Sequence, residues 1–240
     1  MTGKGLSAQY RFTRQPCIYG NSMVSLQLTL SNSGAQALEN IHISEKSSTG
    51  QNIHRFNAIE LYSSYGFDRS DSLLTDLSLS SERLEQQASI TVSMGVDFND
   101  STQAANFQLC TKEDEFNVSV QPAVGELLLP VTMSEADFTK EQGKLVGMNE
   151  SSATITMTPE NVSSQSVNRK VVTVANLGVI PSSQDNIQRF AGKTVSSGSL
   201  VLVSVVLKDP DAVITVNTEK TVMGSMLLRQ LKTALTNSAL

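Results

Sequence analysis

Histidine is scarce. The 240 residues hold only His42 and His54, and neither sits in a cluster with cysteine. A structural or catalytic zinc needs three or four closely spaced Cys, His or carboxylate ligands, so a zinc site is not expected. Nucleophile elbows, phosphate loops and zincin patterns are also missing. Gly143-Lys144 lacks the upstream glycine and the following Ser or Thr of a phosphate loop. The chain therefore reads as a non-enzyme with no cofactor. Basic stretches are short and the formal net charge is −5, which argues against a nucleic-acid partner. Apolar runs are too short for a transmembrane helix, so direct membrane insertion is not expected.

The first residues, Met1-Thr-Gly-Lys-Gly-Leu-Ser7, lack the apolar core of a signal peptide, which points to a cytoplasmic chain. Cysteine is limited to Cys17 and Cys110. In a cytosolic chain they are expected to be reduced, buried small hydrophobes. The alternative is an extracellular β-sandwich adhesion or binding module, which would need a signal peptide and a Cys17–Cys110 bridge. Four Asn-X-Ser matches, at Asn99, Asn117, Asn149 and Asn161, are of the kind that a Ser- and Asn-rich chain produces by chance.

What is present begins with alternation. Val24, Leu26, Leu28 and Leu30 alternate with Ser25, Gln27 and Thr29, the mark of a half-buried strand. Ile41 and Ile43 continue the rhythm. So do Ser89–Phe98, Ala105–Cys110 and Phe116–Val120. About seven short strands before Pro122 predict an immunoglobulin-like β-sandwich. Between them, a Ser-rich insert at about 60–85 breaks the pattern. Its Leu73-Leu-Thr-Asp-Leu77 resembles a clathrin-box or dileucine peptide; a loosely packed loop is the plainer reading. The carboxylates Asp97, Asp100, Glu113, Asp114 and Glu115 fall at turns and are expected to be solvated.

Gln121-Pro-Ala-Val-Gly-Glu-Leu-Leu-Leu-Pro-Val131 changes the character of the chain. Its prolines do not suit a central strand, Gly125 permits a bend, and its leucines need burial. It reads as a joint between a sandwich subdomain, 1–124, and an α+β platform subdomain, 125–240. After it, Ser134-Glu-Ala-Asp137 predicts a capped helix that stops near Gly143 or Gly147. Ala153–Met157 and Arg169–Val174 are strand candidates. Leu200–Leu207 is expected to be a central strand, turned by Asp209-Pro-Asp211 into Ala212–Val216. Met223, Leu227, Leu231 and Leu235 predict a final amphipathic helix. The second half is thus expected to be a sheet with two helices.

Three segments carry a resemblance: Val96–Thr111, Val120–Pro130 with Met133-Ser-Glu135, and Lys140–Glu150. They closely resemble the C-terminal appendage of the beta subunit of adaptor protein complex 3. Arg189–Thr194, Gly198–Leu202 and Asn217–Gly224 extend the match. The resemblance implies a sandwich joined to a platform, in agreement with the alternation. It implies a heterotetrameric vesicle coat, peripheral on Golgi and endosomal membranes, that sorts cargo toward lysosomes and related organelles. The implied role is to recruit accessory proteins that carry short linear motifs, while other adaptor subunits bind through a trunk absent here. The insert at 60–85 has no counterpart recognised in that resemblance. The missing trunk and hinge make the chain read as a fragment of a longer subunit. Related appendages hold aromatic peptides with a tryptophan, and this chain has none. The peptide-binding candidates come instead from this sequence: Arg189 and Phe190 before the apolar strand, or Arg229 on the final helix.

Overall fold

The computed structural model describes residues 2–3, 5–44, 52–54 and 83–237. It is mainly β, a β-sandwich with an α+β subdomain. The chain divides into two units. The first takes in Met1–Gly20, Ser25–Val96 and Ala104–Gln121; the second takes in Asn21–Val24, Asp97–Gln103 and Pro122–Leu240. Most of the insert at 60–85 lies outside the described residues.

Among the described residues ten strands, against the seven or so expected, precede Pro122: β1 (Thr2–Gly3), β2 (Leu6–Pro16), β3 (Val24–Asn32), β4 (Leu38–Glu39), β5 (His42–Ile43), β6 (Asn52–His54), β7 (Arg83–Leu84), β8 (Ser89–Asp97), β9 (Ala105–Cys110) and β10 (Glu115–Val120). One sheet runs β1-β2-β3-β8-β6, a second β10-β9-β5, and β4 pairs with β7. Period-two patterning explains the core. Leu26, Leu28 and Leu30 of β3 are fully buried while the residues between them are half-exposed. Phe107 and Leu109 of β9 and Val118 and Val120 of β10 supply the opposite apolar layer. Cys17 and Cys110 are both free, so the bridge that an extracellular sandwich would use is not made; Cys110 is buried as expected, whereas Cys17, just past the end of β2, is only half-buried.

The second unit contains β11 (Leu128–Pro130), α1 (Glu135–Lys144), β12 (Glu150–Thr156), α2 (Ser164–Ala175), β13 (Gly178–Ile180), β14 (Ile187–Thr194), β15 (Leu200–Lys208), β16 (Asp211–Asn217) and α3 (Thr221–Thr236). The sheet order is β11-β14-β15-β16-β12, with β13 also paired to β14. As the run of Val and Leu predicts, β15 is central. Pro130 ends β11 at the sheet edge, where a missing N–H costs no ladder bond.

Two expectations are corrected. The described residues of the second unit form three α-helices rather than two, and Arg169–Val174 lies within α2 rather than in a strand. Its β-branched residues favour a strand locally. Both ends of the segment oppose that choice. Ser163 Oγ accepts from the Ser166 N–H, and Asn176 closes the helix in the left-handed region with φ 52°. Val167, Val171 and Ala175 are then buried along one stripe.

Register assigns the faces of the platform sheet. Gln142 Nε2 of α1 donates to Asn217 Oδ1 at 3.0 Å, so α1 lies on the Asn217 side. A β-carbon added at Gly224 of α3 would meet Val216 Cγ1 at 3.7 Å, so α3 lies on the other side. α2 packs beside α3. Lys170 Nζ donates to the carbonyls of Ala234 (3.1 Å) and Asn237 (2.6 Å), and Asn161 Nδ2 to that of Leu235 (2.9 Å). These bonds satisfy the last turn of α3, where a cation is also favoured by the helix dipole.

Candidate peptide-binding face

On the α1 side of the platform sheet, antiparallel register builds rows across the strands. Ile187 of β14 is opposite Val206 of β15, which is opposite Val213 of β16, which is opposite Thr154 of β12. In the next row stand Arg189, Ser204, Thr215 and Ser152. Ala191 and Leu202 of the third row pack with Phe138 and Leu145. Helix α1 therefore buries the third row. Ile187, Val206 and Val213 stay half-exposed beyond it.

Arg189 stands where the covered and open rows meet. Its side chain is 13% exposed. Nη1 forms an ion pair with Glu135 Oε1 at 2.8 Å and donates to Ser182 Oγ at 2.7 Å. Its guanidinium carbon sits 6.0 Å from the centroid of the Phe138 ring. Both polar contacts run through Nη1; Nε and Nη2 have no partner among the described residues. A guanidinium with two nitrogens uncommitted among the described residues keeps the donors that a bidentate carboxylate would use. The apolar row beside it suits the neighbouring side chain of the same ligand.

Glu135 does not depend on Arg189 for its own satisfaction. Ser183 donates its backbone N–H (2.9 Å) and its hydroxyl (3.1 Å) to the carboxylate. The Ser183 amide, then its hydroxyl, hold the Glu135 carboxyl below its usual value of 4.5, and the charge of Arg189 adds a smaller effect. The lowered folded-state value fixes the sign. These contacts are whole at neutral pH and are lost as pH falls through the lowered value, below the ordinary carboxylate range. Amide exchange at Ser183 is expected to accelerate in that acid window and to be insensitive to pH above it, once intrinsic rates are corrected. In a Glu135→Gln variant the acid acceleration disappears.

The three sequence candidates do not come together. Phe190 is fully buried and offers no surface to a ligand. It follows Arg189 on β14, so the two point to opposite faces. Arg229 is exposed on α3, over the face away from Arg189. Only Arg189 belongs to the open face. Ile187, Val206, Val213 and Glu135 escaped notice, although the two-residue step from Ile187 to Arg189 already places them side by side.

The turn carboxylates divide. Glu113 and Glu115 are exposed as expected. Asp100 is not solvated: its side chain is 4% exposed, and Oδ2 pairs with the Lys220 ammonium and accepts from Thr194 Oγ1, each at 3.2 Å. Ser197 Oγ donates to the same oxygen, and Ser196 Oγ donates to Asp97 Oδ1 at 2.6 Å. Hydroxyls and one ammonium thus take the place that water was expected to fill. Among the described residues no group of three or more His, Cys, Asp or Glu could hold a metal ion, and no helix is long and apolar enough to cross a membrane.

The first unit has a cleft of about 510 Å³ lined by Leu6, Leu38, Phe116 and the Thr111–Asp114 loop. At its rim Glu39 pairs with Lys112 at 3.1 Å. That hydrogen bond, with the lysine's charge, holds the Glu39 carboxyl below its usual range.

Comparison with known proteins agrees across the chain. A family model for the C-terminal domain of AP-3 complex subunit beta-1 matches residues 125–235. A second, for the C-terminal part of the clathrin-adaptor complex-3 beta-1 subunit, matches residues 1–66. The chain is similar to AP-3 complex subunit beta-1 of Homo sapiens, with 55% identity over 237 residues, 98% of this chain and 20% of the relative. The Bos taurus protein of the same name gives the same identity and coverage. AP-3 complex subunit beta-2 of Mus musculus is 42% identical over 238 residues, again 98% of this chain and 20% of the relative. The chain thus spans about a fifth of the length of the curated relatives it matches. Their matched span takes in the stretch 60–85, which is therefore not foreign to them.

Proposed function

The chain belongs to the family of AP-3 complex beta subunits, within their C-terminal region, and from that premise we propose that it recruits accessory proteins to a vesicle coat by binding short peptides on the α1 side of its platform sheet. An adaptor-complex subunit of this family is a non-enzymatic coat component in protein transport. The transport step proposed is sorting from Golgi and endosomes to lysosomes and related organelles, on the cytoplasmic side. The rest of the adaptor would be reached through parts of the subunit outside this chain.

The observation that carries the reading is the open edge of the α1-covered face. A partly committed guanidinium lies beside the half-exposed row Ile187–Val206–Val213. Such a site fits an extended acidic peptide with one apolar anchor. Without tryptophan, single contacts are expected to be weak, with Kd on the order of tens of micromolar. Weak contacts suit a coat, where many copies raise the effective concentration.

The test is capture from cytosol with the chain as bait. Arg189→Glu, confirmed folded by circular dichroism, is expected to lose partners that the parent chain holds. Arg229→Glu, exposed on the other side, is expected to keep them. If both folded variants retain every partner, the platform face is not the site.

A further inference from the structure

Strand β12 ends the platform sheet on the side away from β11. Its pairing with β16 is unbroken from Glu150↔Asn217 to Thr156↔Asp211. Flanking bonds fix which residues face β16. The Thr218 N–H donates to Asn149 O and the Met157 N–H to Pro210 O, each at 2.9 Å. Hydrogen-bonded pairs alternate in an antiparallel ladder, so Ser151, Ala153 and Ile155 turn their backbone groups toward β16. Ser152, Thr154 and Thr156 turn theirs outward, where no strand among the described residues receives them.

Natural edges are usually protected by Lys, Pro, a bulge or a covering element. Glu150-Ser-Ser-Ala-Thr-Ile-Thr156 has no Lys and no Pro, and its register shows no bulge. The edge is also self-complementary. Paired antiparallel with a second copy about Thr154, it sets Thr154 opposite Thr154 and Ser152 opposite Thr156. Each of these pairs exchanges both backbone hydrogen bonds. On the α3 side Ile155 falls opposite Ala153, a large residue against a small one. No like charges meet within that register, and paired Thr and Ser side chains are favourable cross-strand neighbours.

We propose that β12 is a self-association edge, at which two copies of the chain join their platform sheets into one continuous sheet about a two-fold axis through Thr154. The contact is one strand pair, well short of the roughly 1,200 Å² that stable interfaces bury. It is accordingly a weak dimer, occupied when a coat crowds many copies together.

Sedimentation velocity across roughly 1 µM to 0.5 mM chain is the test, on the scale where weak dimers form. The expected result is a concentration-dependent rise toward dimer mass. It should come with slowed amide exchange at Ser152, Thr154 and Thr156 at the high end. Two variants separate the edge from the fold. Thr154→Pro removes an outward N–H and leaves every bond to β16, because Thr154 donates nothing inward. Thr154→Lys sets like charges together on the axis. Both are expected to stay monomeric with an unchanged circular dichroism spectrum. A parent chain that remains monomeric at the highest concentration overturns the proposal. So does a dimer that survives in both folded variants, or protection of β12 that arises only when a cytosolic peptide binds.

Discussion

Phe190→Ala is expected to destabilise the second unit by about 3–5 kcal/mol, the range for emptying a buried phenylalanine site. Phe190 is 0% exposed. It stands opposite Val203 of β15 and Val179 of β13, both by backbone register. Strand partners on two sides hold the backbone, so the cavity cannot collapse by a local shift. Chemical denaturation followed by circular dichroism measures the loss. Arg189→Ala, one residue away, is the informative contrast. It removes a partly exposed ion pair with Glu135, and such pairs contribute at most about 1 kcal/mol. An equal loss from the two variants would mean that β14 does not divide its side chains as the register states.

The second large effect concerns Gly125, the second residue of the short 3-10 helix Val124–Leu127. A β-carbon there would run into the carbonyl oxygen of Val174 and lie 3.2 Å from the Ala175 Cα. Both are backbone atoms in the last turn of α2, so no side chain can rotate out of the way. Gly125→Ala is expected to cost about 2–3 kcal/mol, at the upper end of small-to-large changes in packed interiors. Gly143 in α1 supplies the control, because nothing lies within 4 Å of an added β-carbon. There Ala is expected to stabilise by about 0.5–1 kcal/mol through helix propensity. Thermal unfolding of the two variants reads both signs. A neutral Gly125→Ala would show that α2 yields to the methyl group.

Gly125 also shows how far the sequence could be read. It stands out between Pro122 and the leucines, and a sharp bend is the natural inference. Its true constraint is the close approach of a helix fifty residues later, which no local pattern announces. Period-two signals were legible in β3 and β8, because side-chain alternation and burial follow the same rule, and the unbroken apolar run of β15 marked it as a central strand. The cap at Ser134 was legible for a similar reason: its side chain accepts from the Asp137 N–H within one turn. Arg169–Val174 misled because β-branched residues state a local preference that caps at Ser163 and Asn176 override. The candidate face was half-legible. Arg189 could be picked out by its charge. Its partner Glu135 and the row Ile187–Val206–Val213 depend on strand order and register, which join residues far apart in the chain. Asp100 failed for the same reason: Lys220 and the Ser196–Ser197 hairpin lie roughly a hundred residues away.

The division of β14 has a consequence for how this chain can change in length. Ile187, Arg189 and Ala191 share one face, while Phe190 faces the other. The strand is thus a parity device. Deleting one residue between Gln188 and Gly192 would not trim a loop; it would exchange even and odd positions downstream or upstream of the cut. A guanidinium would turn toward the interior and a phenyl ring toward water, and the ladders to β11, β13 and β15 would all lose step at once. Variation in length is therefore confined to the connections: the segment Pro181–Asn186 before β14 and the hairpin Val195–Ser199 after it. Both connections are tied: Ser182 and Ser183 to Arg189 and Glu135, and the hairpin serines to Asp97 and Asp100. An insertion in Pro181–Asn186 would keep every ladder in step yet release the Ser182 and Ser183 contacts that hold Arg189 and Glu135, at the rim of the proposed ligand face.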